Sequence, residues 1–134
     1  MTSSEAVEMY LKTISELSTG GPVRTSDISR RMRIAPASVT GMLRRLRRLD
    51  YVSYTPYRGC MLTGKGSRVA GQLSRRKRLL KRFLTVLGVP GREAESQACR
   101  LEHYLTDNTT QRLAAFLRCE PCPGNGKRCQ DCGG

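Results

Sequence analysis

Residues 98–107, ACRLEHYLTD, contain the only histidine of the chain. His103 follows Cys99 by four residues and Glu102 by one, and positions i, i+3 and i+4 share one face of an α-helix. A thiolate, a carboxylate and an imidazole are common protein ligands of first-row transition metals. The segment is therefore a candidate metal site; the alternative is a polar trio on the surface of a helix.

A second group of candidate ligands closes the chain with the spacing C-x2-C-x6-C-x2-C. Two C-x-x-C pairs this close together are typical of a tetrathiolate metal site. We expect structural Zn²⁺ or an iron–sulfur cluster there, since both are held by four thiolates. A redox-active dithiol and a disordered tail are the alternatives. The four residues are Cys119, Cys122, Cys129 and Cys132.

The charge of the chain favours a polyanionic partner. Its formal net charge is +13, and contacts to phosphates release counterions and add affinity. Five tyrosines, two phenylalanines and no tryptophan are few for stacking single-stranded bases, so we expect duplex DNA. No apolar run approaches a membrane span and the N-terminus lacks a secretion signal, which predicts a cytoplasmic protein without a membrane partner.

The first half of the chain has the pattern of a winged helix-turn-helix. Apolar spacing predicts helices over 4–18, 25–34 and 37–49, and the alternation within 51–66 around a proline and a glycine predicts a hairpin. Thr25 or Ser26 is expected to cap the second helix. The face of the third helix that we expect to be buried consists of Val39, Leu43, Leu46 and Leu49.

That third helix is the expected recognition helix, since it carries four arginines and such helices present their first residues to the major groove. The alternative is that the arginines only solvate the helix. The predicted DNA-contacting residues are Thr25, Ser26, Pro36, Ala37, Ser38, Thr40, Gly41, Arg44, Arg45, Arg48, Tyr57 and Arg58.

The second half is predicted to be all helical. Helices are expected over 66–87 and 92–105, followed by a last helix capped by Thr106 or Asp107. Their apolar faces are broader than two short helices need, so we expect a homodimer. The fold class is thus mostly α, with a DNA-binding domain, a helical dimerisation and metal-binding domain and a metal-binding tail over 1–64, 65–118 and 119–134.

Five segments in order identify a family resemblance: EMYLKTISEL (8–17), PASVTGMLRRL (36–46), YRGCMLTGKG (57–66), RRKRLLKRFL (75–84) and SQACRLEH (96–103). Together they resemble the iron- and manganese-dependent repressors of the diphtheria toxin repressor type, in their shorter two-domain form. The resemblance covers about residues 5–118.

This resemblance implies a primary regulatory metal site made by Met9, Cys99, Glu102 and His103. It implies Fe²⁺ as the metal, with Co²⁺, Ni²⁺ or Mn²⁺ as substitutes, because manganese-responsive members place carboxylates at the Met and Cys positions and sulfur donors suit iron better. The implied function is a metal-activated repressor of iron-homeostasis genes that binds a palindromic operator as a homodimer. Such a protein is not an enzyme and takes no small organic substrate.

The sequence departs from the family at its ancillary metal site. Lys77 and Lys81 stand where the family has His and Glu, while Glu95 keeps a carboxylate at the third position. A lysine ammonium has no lone pair for a metal, so we predict a vestigial site without metal. Our hypothesis is that Lys77, Lys81 or both pair with Glu95; the alternative is that both lysines are solvated or attract DNA.

Two other functions remain as alternatives. The tail cysteines alone, through a cluster or their redox state, could provide the signal of a DNA-binding regulator. A zinc-ribbon-type RNA-binding structural protein would also explain the charge, but it leaves Met9 and the Cys99–His103 trio unexplained. A thiol oxidoreductase is disfavoured because the βαβ context of such motifs is missing.

Overall fold

A computed structural model of the chain describes residues 3–119, with side chains for residues 4–118. It confirms the mostly α fold class, a winged helix-turn-helix followed by helices. Among these residues, no helix is both long and apolar enough to cross a membrane. The elements are α1 (Ser3–Leu17), α2 (Thr25–Met32), α3 (Pro36–Arg48), β1 (Val52–Thr55), β2 (Gly59–Leu62), α4 (Gly64–Val86), α5 (Gly91–Leu101) and α6 (Asp107–Cys119).

The chain forms two compact units, which divide between Ser74 and Arg75, within α4. In the first unit, α1, α2, α3 and the hairpin enclose one apolar core. Tyr10, Leu11 and Ile14 of α1 share that core with α3, which is why the position of α1 and that of the expected recognition helix depend on each other.

Helix α3 buries most of the face that the sequence predicts. Pro36 begins the helix, where its missing N–H costs nothing. Val39, Leu43 and Leu46 are fully buried, as expected. The prediction for Leu49 is wrong: it is 41% exposed, because the helix ends at Arg48 and Leu49 is the C-cap.

The start of α2 differs from the prediction. Arg24, in an extended conformation, is the N-cap and makes no capping hydrogen bond with its side chain. Thr25 and Ser26 were expected to cap the helix but already lie within it, so neither occupies the flanking position from which a side chain can cap. The helix also ends at Met32, with Arg33 in the left-handed conformation after it.

The wing is a two-stranded antiparallel hairpin in which Tyr54 lies opposite Cys60. Its second strand is also joined to the segment before α2: the Val23 N–H donates to the Cys60 carbonyl (2.8 Å) and the Cys60 N–H donates to the Val23 carbonyl (2.9 Å). Gly59 has φ of +107°, and a Cβ atom there would collide with the Val23 carbonyl. The chain can therefore come this close only at a glycine.

In the second unit, α4 buries Leu80 and Leu84, α5 buries Ala98 and α6 buries Leu117. Phe83 and Phe116 meet edge to face, with ring centroids 6.1 Å apart. The Arg76 guanidinium pairs with Asp107 at 2.8 Å, which ties α4 to the start of α6.

Helix α5 is shorter than predicted and α6 begins as predicted. The Tyr104 N–H donates to the Leu101 carbonyl, and this tighter turn over residues 102–104 ends α5 four residues early. Leu101, the last residue of α5, is 39% exposed. The Thr106 hydroxyl accepts the Thr109 N–H at 3.2 Å, which confirms Thr106 as a cap.

Candidate metal centre and nucleic-acid interface

Glu102 and His103 form a buried acid–imidazole pair just after α5. The Glu102 side chain is fully buried, the His103 side chain is 8% exposed, and 3.6 Å separates His103 Nε2 from Glu102 Oε1. A buried carboxylate is costly unless a cation or hydrogen bonds offset the loss of water. The donor chemistry of the pair therefore fits a divalent cation.

The other two expected ligands, Cys99 and Met9, lie on α5 and α1. Cys99 is exposed near the end of α5, and within residues 3–119 no three His, Cys, Asp or Glu side chains form a group that could hold a metal. Because α5 ends at Leu101, the helical spacing expected to put Cys99 on one face with Glu102 and His103 does not continue to His103. Met9 is half-buried on α1, in the first unit.

Lys77, Lys81 and Glu95 form two ion pairs that share one carboxylate, which confirms the hypothesis that the lysines pair with Glu95. Lys77 Nζ lies 2.5 Å from Glu95 Oε1, and Lys81 Nζ lies 2.8 Å from Glu95 Oε2. Hydrogen bonds from Lys77 and then Lys81 lower the pKa of Glu95 from its usual 4.5 to about 2. Both carboxylate oxygens thus already have a cationic partner.

The predicted DNA-contacting residues all lie at the surface of the first unit. Thr25 and Thr40 are half-buried and the other ten are exposed; Tyr57, at the tip of the wing, is completely exposed. A cleft brings together five of the twelve, Thr25, Ser26, Thr40, Arg44 and Tyr57. It does not include the others, which lie along α3 and at the wing.

The cleft also contains residues that the sequence reasoning missed: Arg24, Tyr54, Pro56 and Gly59. Arg24 could have been found, because it immediately precedes a predicted helix in a strongly basic chain. Tyr54 could not, because its position depends on the register of the hairpin and on the Val23–Cys60 pairing.

Three further contacts, which the sequence did not predict either, fix the segment that follows α3. The Lys65 ammonium donates to the Leu49 carbonyl at 3.0 Å and lies 4.4 Å from the centre of the Tyr51 ring. The Thr63 hydroxyl donates to the Asp50 carbonyl at 2.6 Å. Thr63, just before α4, and Lys65, in its first turn, thereby hold the residues that follow α3 in place.

Two family profiles match the chain over most of its length. The first, described as "Iron dependent repressor, N-terminal DNA binding domain", matches residues 2–60, and the second, "Iron dependent repressor, metal binding and dimerisation domain", matches residues 63–130. The chain belongs to the iron-dependent repressor family. It is accordingly a metal-dependent, DNA-binding transcriptional repressor that dimerises through its C-terminal domain, and not an enzyme.

Two similar proteins are HTH-type transcriptional regulators. An uncharacterized HTH-type transcriptional regulator of Methanocaldococcus jannaschii is 36% identical over 117 residues, which cover 85% of this chain and 94% of that protein. The HTH-type transcriptional regulator MntR of Bacillus subtilis is 34% identical over 98 residues, covering 73% of this chain and 69% of that protein.

Solved structures of similar proteins have the same fold. The manganese regulator SloR is 32% identical with a TM-score of 0.70, over 83% of this chain and 53% of that one. ScaR with bound Cd²⁺ is 31% identical with a TM-score of 0.74 over the same shares. The chain thus spans about half the length of these two proteins.

The predicted tail site lies outside the described residues. Of its four cysteines, only Cys119 falls within them, at the end of α6.

Proposed function

We propose that this repressor is activated by Fe²⁺ and controls genes of iron homeostasis. The observation that carries the proposal is the donor set: a buried carboxylate beside an imidazole in Glu102 and His103, with sulfur at both remaining candidate positions, Met9 and Cys99. When bound, the metal supplies a divalent charge that offsets burial of the carboxylate and holds ligands from different elements together.

The choice of iron rests on ligand softness. Similar proteins of known structure are described as a manganese regulator, a manganese-dependent transcriptional repressor and a manganese-activated repressor. Mn²⁺ prefers oxygen ligands, whereas a thioether and a thiolate suit Fe²⁺, Co²⁺ and Ni²⁺ better. The sulfur atoms of Met9 and Cys99 therefore support iron, with Co²⁺, Ni²⁺ or Mn²⁺ as weaker substitutes.

The four residues have distinct tasks. Glu102 and His103 form the preformed part of the site, and Cys99 contributes a thiolate from the last turn of α5. Met9 lies next to Tyr10, whose helix shares the first unit's core with α3. Holding Met9 therefore restricts α1 and, through the core, the recognition helix. Metal would favour the DNA-competent state by its difference in affinity between the two states.

The test is a selection from random duplex DNA under anaerobic conditions with Fe²⁺, with Mn²⁺, or with chelator. We expect Fe²⁺ to enrich a palindromic sequence, because a twofold dimer reads two half-sites. Equal enrichment with chelator would contradict metal activation, and stronger enrichment with Mn²⁺ would contradict the choice of iron.

We also propose that the Lys77–Glu95–Lys81 cluster replaces an ancillary metal with permanent charge. Two ammonium groups already neutralise Glu95. The double variant Lys77→His, Lys81→Glu should bind one metal equivalent more than wild type in a calorimetric titration. The control Lys77→Met, Lys81→Gln breaks the ion pairs without adding a ligand and should gain none. An unchanged stoichiometry in the His/Glu variant would contradict the proposal.

For the tail we propose a tetrathiolate site of Cys119, Cys122, Cys129 and Cys132, holding Zn²⁺ or an iron–sulfur cluster, in a cytoplasmic protein. Elemental and sulfide analysis of the anaerobic protein distinguishes the two. Replacing all four cysteines by serine should leave Fe²⁺-dependent DNA binding in place. Loss of that response, with the protein still dimeric, would move the sensor to the tail.

A further inference from the structure

A cleft on the first unit opens where α2, α3 and the wing meet, with a volume of about 450 Å³. Its lining residues include two arginines, Arg24 and Arg44, and no aspartate or glutamate. Both arginines are exposed. The electrostatic character of the cleft is therefore strongly positive, and it suits an anion.

Polar groups complement the two arginines. Thr25 and Ser26 open α2, so their N–H groups belong to the first turn, which has no acceptor within the helix. Both residues and Thr40, each of which carries a hydroxyl, line the same cleft. Tyr54 lines it too, with only 9% of its surface exposed. Guanidinium, hydroxyl and amide donors together match the oxygens of a phosphate group.

The cleft is also preformed. The paired hydrogen bonds between Val23 and Cys60 hold the wing beside Arg24, and Arg47 donates to the Tyr54 carbonyl at 3.3 Å, which joins the wing to α3. Little ordering is therefore needed when an anion binds, and preorganisation of this kind favours affinity.

We infer that this cleft binds one backbone phosphate of duplex DNA, held by Arg24 and Arg44 between the helix-turn-helix and the wing. The inference rests on the DNA-binding function of this repressor and deepens it. A polymer phosphate is favoured over a small anion because the cleft is continuous with Thr40 on the recognition helix and with the exposed wing tip at Tyr57. Arg44 then fixes the register of α3 and leaves base reading to its neighbours.

The test uses the full-length protein, a mixed-sequence duplex and the duplex from the selection. Arg24→Gln and Arg44→Gln should each weaken binding to both duplexes alike. Each should also reduce the slope of log affinity against log salt concentration by about one, as expected when a phosphate contact is lost. Arg30→Gln, the same charge change at an exposed position of α2 outside the cleft, should keep the slope.

A scan with single methylphosphonates locates the phosphate. One neutral linkage should weaken wild type but cost Arg44→Gln no further affinity. Slopes equal to wild type, or an Arg44 variant with altered base preference, would overturn the inference. So would inorganic phosphate at millimolar concentration binding the DNA-free protein through Arg24 and Arg44 without competing with duplex. If wild type shows no metal-dependent selection, the proposed function fails, whereas the mixed-sequence measurement still tests the cleft.

Discussion

At position 95 a single carboxylate receives two lysines from one face of α4, four residues apart. This spacing makes the arrangement readable from the sequence: residues 77 and 81 lie one helical turn apart, so both can reach the same acceptor. What the sequence alone could not supply is the packing of α5 on α4, which decides whether Glu95 comes within reach.

Because of these ion pairs, we expect Glu95 to make the free energy of unfolding depend on pH in the acid range. The pKa of Glu95 falls from 4.5 to about 2 on folding, chiefly through the Lys77 hydrogen bond, so the contribution is complete above pH 4.5 and is lost as the pH falls to about 2. Its size is at most about 1 kcal/mol, because the side chain is 44% exposed and screened by water.

Urea unfolding of Glu95→Gln and wild type across this pH range measures the effect. We expect the variant to be less stable at pH 6 and the difference to disappear near pH 2. The double variant Lys77→Met, Lys81→Met removes the cationic partners of Glu95 and should abolish the same pH-dependent contribution to stability. A difference that stays constant with pH would show that the ion pairs do not cause it.

The contact between the wing and the segment before α2 should contribute measurably to stability. Gly59→Ala should lower the free energy of unfolding by more than 1 kcal/mol, because φ of +107° disfavours alanine and its Cβ would collide with the Val23 carbonyl. Gly41→Ala, in α3 with open space around it, should raise stability by roughly 0.5–1 kcal/mol.

Thermal and urea unfolding of both variants measures these stability changes. Binding of the Gly59→Ala variant to mixed-sequence DNA is measured as well. The Gly59 variant should lose affinity as well, since the same contact positions Arg24 beside the wing. Opposite signs of the two stability changes are required. An Ala at 59 that is as stable as wild type would contradict the described approach of wing and Val23.

The sequence predicts the presence of the helices better than the residues at which they begin and end. Periodic apolar residues predicted each helix, and Val39, Leu43 and Leu46 are buried as expected. The ends were less predictable: the cap of α2 is Arg24, and α5 stops at Leu101 because of a local turn. The phosphate cleft was out of reach, since it depends on a pairing between residues far apart in the chain.

At the scale of the whole molecule, exposed apolar side chains on the second unit are candidates for the dimer interface. Leu87 is 63% exposed and Phe116 is 51% exposed. Such residues in a dimerisation domain favour contact with a second copy. Leu87→Asp or Phe116→Asp should therefore shift the protein towards monomer and weaken binding to the palindrome more than to a half-site.

Sedimentation velocity and duplex binding test this expectation. Met61→Asp is the control, because Met61 is 45% exposed but lies on the wing, in the first unit. It should leave the dimer intact. If both second-unit variants remain dimeric at the concentrations where wild type does, the interface lies elsewhere.

In the proposed function, sulfur ligands at Met9 and Cys99 select iron. The most direct measurement is anaerobic DNA binding of wild type and of Met9→Asp, Cys99→Glu as Fe²⁺ or Mn²⁺ is added, with Gln97→Glu as a charge control on α5. We expect Fe²⁺ to activate wild type and the control at lower concentration than Mn²⁺, and the double variant to reverse this order. An unchanged order in the double variant, or DNA binding by wild type that ignores both metals, would contradict it.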